Sequence, residues 1–141
     1  MPQEPEPTDL IKRTHRVYAA LNGRDFDAVV GMFGSPAVWD VSRWGLGAKT
    51  GPEAIRHFLH DWFGSLDEYR VEVEEIHALG EGVVWAVVVQ TARRGGSRGL
   101  LQMRSAPVFL WAQGRISQVT LYRDIEEAQA EAQRLAQAQQ G

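Results

Sequence analysis

The sequence predicts an α+β domain in which helices close one side of a curved antiparallel sheet. Two observations carry this. Apolar residues recur at helical spacing as far as Phe63 and at a period of two from Tyr69 onward, and the second half is punctuated by hairpin signals at Gly80-Glu81-Gly82, Arg93 to Gly99 and Gln113-Gly114. A length of 141 residues with 44% hydrophobic content fits one globular domain, without room for a second of similar size.

Residues 1–7 read as a disordered tail, because Pro2, Pro5 and Pro7 remove backbone donors and the acidic residues between them bury nothing. Thr8 offers an N-cap and Asp9 a first-turn charge that suits the helix dipole. Leu10, Thr14, Val17, Tyr18 and Leu21 then form one apolar face, which ends at Asn22-Gly23 with Gly23 as the left-handed residue. Asp25 caps a second helix whose stripe is Phe26, Val29, Val30 and Phe33, stopped by Gly34 and Pro36. Ala37 to Val41 is a short strand. Pro52 opens a third helix with Ile55, Phe58, Leu59, Trp62 and Phe63 on one side, a face wide enough to need a large cover.

In the sheet half, Tyr69 to Ile76 alternates as a half-exposed strand. Val83 to Gln90 is a β-branched run of the kind found when both faces are covered. Leu100 to Trp111 and Ile116 to Tyr122 complete an antiparallel meander. Ile125 to Gln139 is an Ala-, Gln- and Glu-rich helix whose apolar positions are mostly alanine, so it either packs or contacts a partner. The organisation is a tail at 1–7, a domain at 8–128 and a helical extension at 129–141.

Composition narrows the function. Fifteen basic and eighteen acidic residues give a net charge of −3 with no basic block, which argues against nucleic-acid binding. The absence of cysteine removes disulfides, thiolate catalysis and Cys-ligated zinc. The N-terminus is proline-rich and acidic, unlike a signal peptide, and no apolar run approaches ~20 residues. A cytoplasmic protein that engages no membrane is the expectation.

The order across Val17 to Phe63 is a helix ending at Leu21, the turn Asn22-Gly23-Arg24-Asp25, a second helix, the strand Ala37 to Val41, a Gly-rich loop and a helix from Pro52. It resembles the SnoaL-like branch of the nuclear transport factor 2 superfamily, which also includes ketosteroid isomerase and limonene epoxide hydrolase; the likeness extends over about residues 9–128. The resemblance implies a cone-shaped, cystatin-like fold with a pocket between the concave face and the helices. Aligned on the turn glycines, it places inward Trp39 and Val41, then Ala86, Val88 and Gln90, then Arg104, Ala106 and Val108, and finally Val119 and Leu121. The acid and base positions of ketosteroid isomerases then fall on Val41, Val17 and Val108, and the Asp-Arg-Asp set of the epoxide hydrolases on Val88, Gln90 and Leu121, so neither set is present. SnoaL-like polyketide cyclases need only shape and one acid or base, for which Asp124 is placed; its other reading is the N-cap of the helix from Ile125.

The catalytic candidates are therefore Asp40, if it turns inward, Asp124 and Arg104. Arg104 in an apolar strand needs an acid such as Asp40, a ligand oxygen, or a cross-sheet Glu72 or Glu74. The ligand-binding set is Tyr18, Trp39, Val41, Phe58, Trp62, Val88, Gln90, Arg104 and Leu121. Arg43 and Trp44 sit on a loop able to rim the pocket. His57 and His60 supply at most two metal ligands, so neither a metal nor a cofactor is expected. Trp85, Val87, Val89, Phe109, Trp111 and Tyr122 fall on the outer face, where so much apolar surface implies a homodimer, as is common in the superfamily; the alternative is a slipped register, with these residues lining the pocket instead. Three functions stay open: a binding protein for a small apolar ligand, a cyclase-, isomerase- or hydratase-type enzyme, and a dimerisation module with a vestigial pocket.

Overall fold

A computed structural model describes residues 6–94 and 99–140. Helix α1 (Pro7–Asn22) begins earlier than Thr8: Glu6 is its N-cap and Pro7 takes the first position, where a missing N–H costs nothing. The rest of the expected tail, residues 1–5, lies outside the described residues. Leu10, Thr14, Val17, Tyr18 and Leu21 are buried, as the helical spacing predicts. The chain turns into α2 (Phe26–Gly31) with Arg24, not Gly23, in the left-handed region; φ is 55° at Arg24 and −83° at Gly23. The Arg24 side chain compensates by donating to the carbonyls of Phe63 and Leu66. Asp25 caps α2 by accepting from the Ala28 N–H at 3.2 Å.

α2 stops at Gly31, and Phe33 opens a strand instead of closing a helix. The sheet holds β1 (Phe33–Asp40), β2 (Ala48–Thr50), β3 (Leu66–Gly80), β4 (Val83–Arg94), β5 (Leu100–Ala112) and β6 (Arg115–Tyr122) in the order β2-β1-β6-β5-β4-β3. β3 to β6 form the expected antiparallel meander, but β1 joins β6 in parallel, with Trp39 opposite Val119. The sheet is mixed, mostly antiparallel. The short β2, unannounced in the sequence, pairs with β1 so that Lys49 faces Trp39. α3 (Pro52–Gly64) packs Ile55, Phe58, Leu59 and Phe63 onto the concave side. Of the expected loop Arg93 to Gly99, residues 95–98 lie outside the described residues.

Asn22 binds the edge strand β3 as a neighbouring strand would. Its amide donates to the Val71 carbonyl at 2.9 Å and its oxygen accepts from the Val71 N–H at 2.8 Å. The end of α1 is thereby tied to the sheet.

The β4–β5 register corrects the expected faces. Val84 pairs with Phe109, Val88 with Ser105 and Gln90 with Met103, so an even residue of β4 faces an odd residue of β5. Phe109 and Trp111 therefore belong to the inner core, while Arg104, Ala106 and Val108 point outward. This arrangement buries two large rings and leaves a guanidinium in water, whereas the expected one would bury the guanidinium.

The convex face is also covered. Helix α4 (Ile125–Gln140) lays Ala128, Ala132 and Ala136 against Val83, Trp85, Val87, Val108 and Tyr122, and its alanine stripe lets the backbone approach closely. Trp85 and Tyr122 retain 5% and 4% of their surface. Of the residues expected to form a dimer face, Phe109 and Trp111 are on the other side of the sheet and Trp85 and Tyr122 lie under α4. The presumed extension at 129–141 is the body of this helix; Gly141 lies outside the described residues. No described helix is long and apolar enough to cross a membrane.

Candidate functional site

Between the concave face and helices α1 and α3 lies a cavity of about 110 Å³. A single water needs about 10–15 Å³ of such space, so the cavity accommodates a small organic molecule. Its walls come from local patterns already described. α1 contributes Val17, Tyr18 and Leu21, α3 contributes Phe58, Trp62 and Phe63, and the inward positions of β1 and β6 contribute Trp39, Val119 and Leu121, with Val41 just beyond the end of β1. The aromatic rings interlock. Trp39 stacks on Phe33 at 5.6 Å and 12°, and meets Phe58 edge-on at 5.8 Å.

The polar atoms of the lining side chains are few. They are the Tyr18 hydroxyl, the Gln90 amide and the indole N–H groups of Trp39, Trp44 and Trp62; among the described residues no carboxylate, imidazole or cation lines the cavity. Burial, with a smaller contribution from the nearby Tyr69, pushes the Tyr18 hydroxyl well above its ordinary range and keeps it neutral. The N–H groups of Trp39 and Trp44 are buried with no hydrogen-bond partner among the described residues.

Seven of the residues expected at the ligand line the cavity: Tyr18, Trp39, Val41, Phe58, Trp62, Gln90 and Leu121. Val88 points inward but is sealed in the core beneath it. Arg104 is on the opposite face, 58% exposed, with its guanidinium 2.8 Å from Glu74. The cross-sheet Glu partner was one of its readings; the ligand contact is not made. Phe109, Met103 and Leu46 line the cavity unannounced. The first two follow from the β4–β5 register and the third from the loop before β2, whose Leu46 N–H donates to the Val41 carbonyl; neither leaves a local signal.

The structure does not bring the three catalytic candidates together. Asp40 alternates with Trp39 and Val41 and so leaves the sheet on the other side. Partial burial works to raise its pKa, but hydrogen bonds from the Ser42 hydroxyl and N–H and the charge of Arg43 outweigh this and hold the carboxyl below its ordinary range. Asp124 accepts from the N–H groups of Glu126 and Glu127 at 2.8 and 3.3 Å, which makes it the N-cap of α4. Arg43 turns away from the cavity, lies 4.2 Å over the Tyr122 ring and pairs with Glu127, whereas Trp44 does line the cavity. His57 pairs with Asp61 at 2.9 Å on the exposed side of α3, and His60 meets the Phe26 ring edge-on. Among the described residues no three His, Asp or Glu side chains converge on a point.

A curved sheet closed by helices around an apolar cavity is the NTF2-like, ketosteroid isomerase-like fold. The chain belongs to the SnoaL-like domain family, whose pattern matches residues 14–119. Solved structures agree on the fold. An NTF2-like protein of unknown function from Burkholderia pseudomallei superposes with a TM-score of 0.71 at 20% identity, covering 84% of this chain and 92% of its own. Bal32a, from a soil-derived mobile gene cassette, gives 0.72 at 22% identity over 90% and 98%. A hypothetical protein of ketosteroid isomerase-like fold from Catenulispora acidiphila, solved in complex with trimethylamine, gives 0.70 at 16% identity over 93% and 95%. Among curated proteins, none matches this sequence.

Proposed function

We propose that this protein binds a small, mainly apolar organic molecule in the cavity and releases it unchanged. The lining carries the reading: it is mainly aromatic and aliphatic, and among the described residues the one titratable side chain that lines it is a tyrosine held neutral. General acid–base catalysis needs a group near its pKa within hydrogen-bond reach of the substrate, and Asp40, Asp124 and Arg104 are all directed elsewhere. A vestigial pocket is disfavoured because about 110 Å³ stays open among large rings that close packing would otherwise fill.

A panel of ring and short-chain fragments, followed by tryptophan fluorescence and thermal unfolding, tests this. A ligand at a hundredfold excess over its Kd should stabilise the fold by about 2.7 kcal/mol. Leu121→Phe, which fills the cavity from β6, is expected to weaken binding at least tenfold. Conversion of a bound fragment faster than in buffer, or binding untouched by Leu121→Phe, would overturn the proposal.

A further inference from the structure

Arg13, Arg16 and Arg115 line one open pocket of about 270 Å³, where the middle of α1 meets the β5–β6 turn and the end of α2. This pocket shares no lining residue with the apolar cavity. Local structure brings the three cations together. Arg13 and Arg16 are three apart on α1 and so lie on one face of the helix. Gln113 and Gly114, both with left-handed backbone, form the tight turn that leads into Arg115. The two sides are then tied by hydrogen bonds: Arg13 donates to the Gly114 carbonyl at 3.0 Å, and Arg115 donates to the Gly31 carbonyl at 3.0 Å. Both acceptors are neutral, so neither charge is compensated, and each guanidinium keeps its other N–H donors. Arg16 makes no hydrogen bond, and none of the three belongs to an ion pair among the described residues; Asp9, one turn before Arg13, pairs with none of them. In a chain whose net charge is −3, a concave site with three arginines and no carboxylate in its described lining is a local reversal of sign.

We infer that this pocket binds a phosphoryl group, as inorganic phosphate or as the head of a small phosphomonoester. Guanidinium donors supplied by a helix on one side and a turn on the other suit a tetrahedral anion, whose oxygens point in several directions, better than a carboxylate, whose two oxygens lie in one plane. Charge agrees with shape. A phosphomonoester near neutral pH carries close to two negative charges, against one for a carboxylate, and three unpaired cations reward the larger charge. Met32 and Trp111 complete the lining with apolar surface, against which the field of the arginines is screened less than in open water. Space is sufficient, since one water needs only about 10–15 Å³ of such volume.

The test titrates the full chain with sodium phosphate, glycerol phosphate and sodium acetate at about pH 8, where a phosphate ester is doubly charged. Calorimetry gives the affinities, and tryptophan fluorescence gives a second readout because Trp111 lines the pocket. Phosphate should bind about tenfold or more tightly than acetate at low salt, and its affinity should fall as salt is raised. Arg16→Gln removes a side chain that holds nothing else, so it should weaken phosphate binding about tenfold while the urea midpoint measured without phosphate stays unchanged. Arg115→Gln should weaken phosphate binding as well. Arg134→Gln removes the same charge from α4 on the convex face and should leave phosphate affinity within about twofold, since a distant exposed charge is largely screened. Tighter binding of glycerol phosphate than of inorganic phosphate assigns the pocket to an organic ester, equal affinity assigns it to free phosphate, and both uphold the site. Acetate binding as tightly as phosphate, no saturable phosphate binding, or equal losses in Arg16→Gln and Arg134→Gln would each overturn the inference and leave the reading of the apolar cavity standing.

Discussion

Replacing Gly82 by alanine should destabilise the protein far more than the same change two residues earlier. Both glycines lie in the β3–β4 turn with left-handed backbone, φ being +82° at Gly82 and +87° at Gly80. A Cβ at Gly80 meets nothing within 4 Å, whereas one at Gly82 falls 2.3 Å from the Trp111 carbonyl oxygen. Left-handed backbone costs a non-glycine residue about 1–2 kcal/mol, and both variants share that term. Only Gly82→Ala must also push two backbones apart by about 1 Å to reach ordinary contact. That costs about 1–3 kcal/mol by analogy with overpacking. The shift also stretches the 2.7 Å bond from the Trp111 N–H to the Gly82 carbonyl, whose net worth is about 1 kcal/mol. The two variants should therefore differ by about 2–4 kcal/mol. In urea, with a slope of about 1–3 kcal/mol per molar, this separates their midpoints by roughly 1 M or more. The tryptophans report the transition. Midpoints that agree within experimental scatter would refute the argument from close approach. Because Trp111 stacks on Phe109, which lines the cavity, Gly82→Ala should also weaken ligand binding.

Asn22→Ala strips Val71 of both backbone partners, so a loss of about 2–3 kcal/mol is expected, together with faster hydrogen exchange at the Val71 amide; unaltered protection there would show that the clamp is dispensable. Truncation after Asp124 uncovers Val83, Trp85, Val87 and Val108, and the shortened chain should self-associate in sedimentation more strongly than the full chain; equal association of the two would contradict the masking role of α4. Tyr18, Tyr69 and Tyr122 are all raised, chiefly by burial, from an ordinary value of 10.0, so the unfolded chain gives up these protons first. Stability should therefore hold below pH 10 and fall as the pH climbs toward the folded-state values, and tyrosinate absorbance should appear together with unfolding instead of at pH 10. A native tyrosinate signal at pH 10 would show that the rings are wetter than the packing allows.

What the sequence made legible was whatever a few consecutive residues decide. The stripes of α1 and α3 recur every three or four residues, and they deliver Tyr18, Phe58 and Trp62 to the cavity. Asp25 and Asp124 are caps because the chain after each is ready to be helical. Parity within β1, β4 and β6 placed Trp39, Gln90 and Leu121 correctly. β5 failed because its face depends on how the hairpin from β4 closes, and a single residue of slip exchanges Arg104 for Met103 and Val108 for Phe109. Nothing in β5 itself marks the difference. The parallel partner of β1 and the destination of α4 were hidden for the same reason: both join segments far apart in the chain.

The junction of β1 with β6 also has a consequence for how the protein is made. Trp39 and Val119, on opposite walls of a seam near the middle of the sheet, meet only when almost the whole chain is available. Loop-closure entropy must be met before that seam yields any stabilisation, which places it among the slow, non-local steps of folding. During synthesis the helices and the β3–β4 hairpin can form as they emerge, yet a nascent chain ending before β6 has no floor to its cavity. The cavity is whole only in the finished molecule, so any molecule that fits it would favour the last step of folding by mass action.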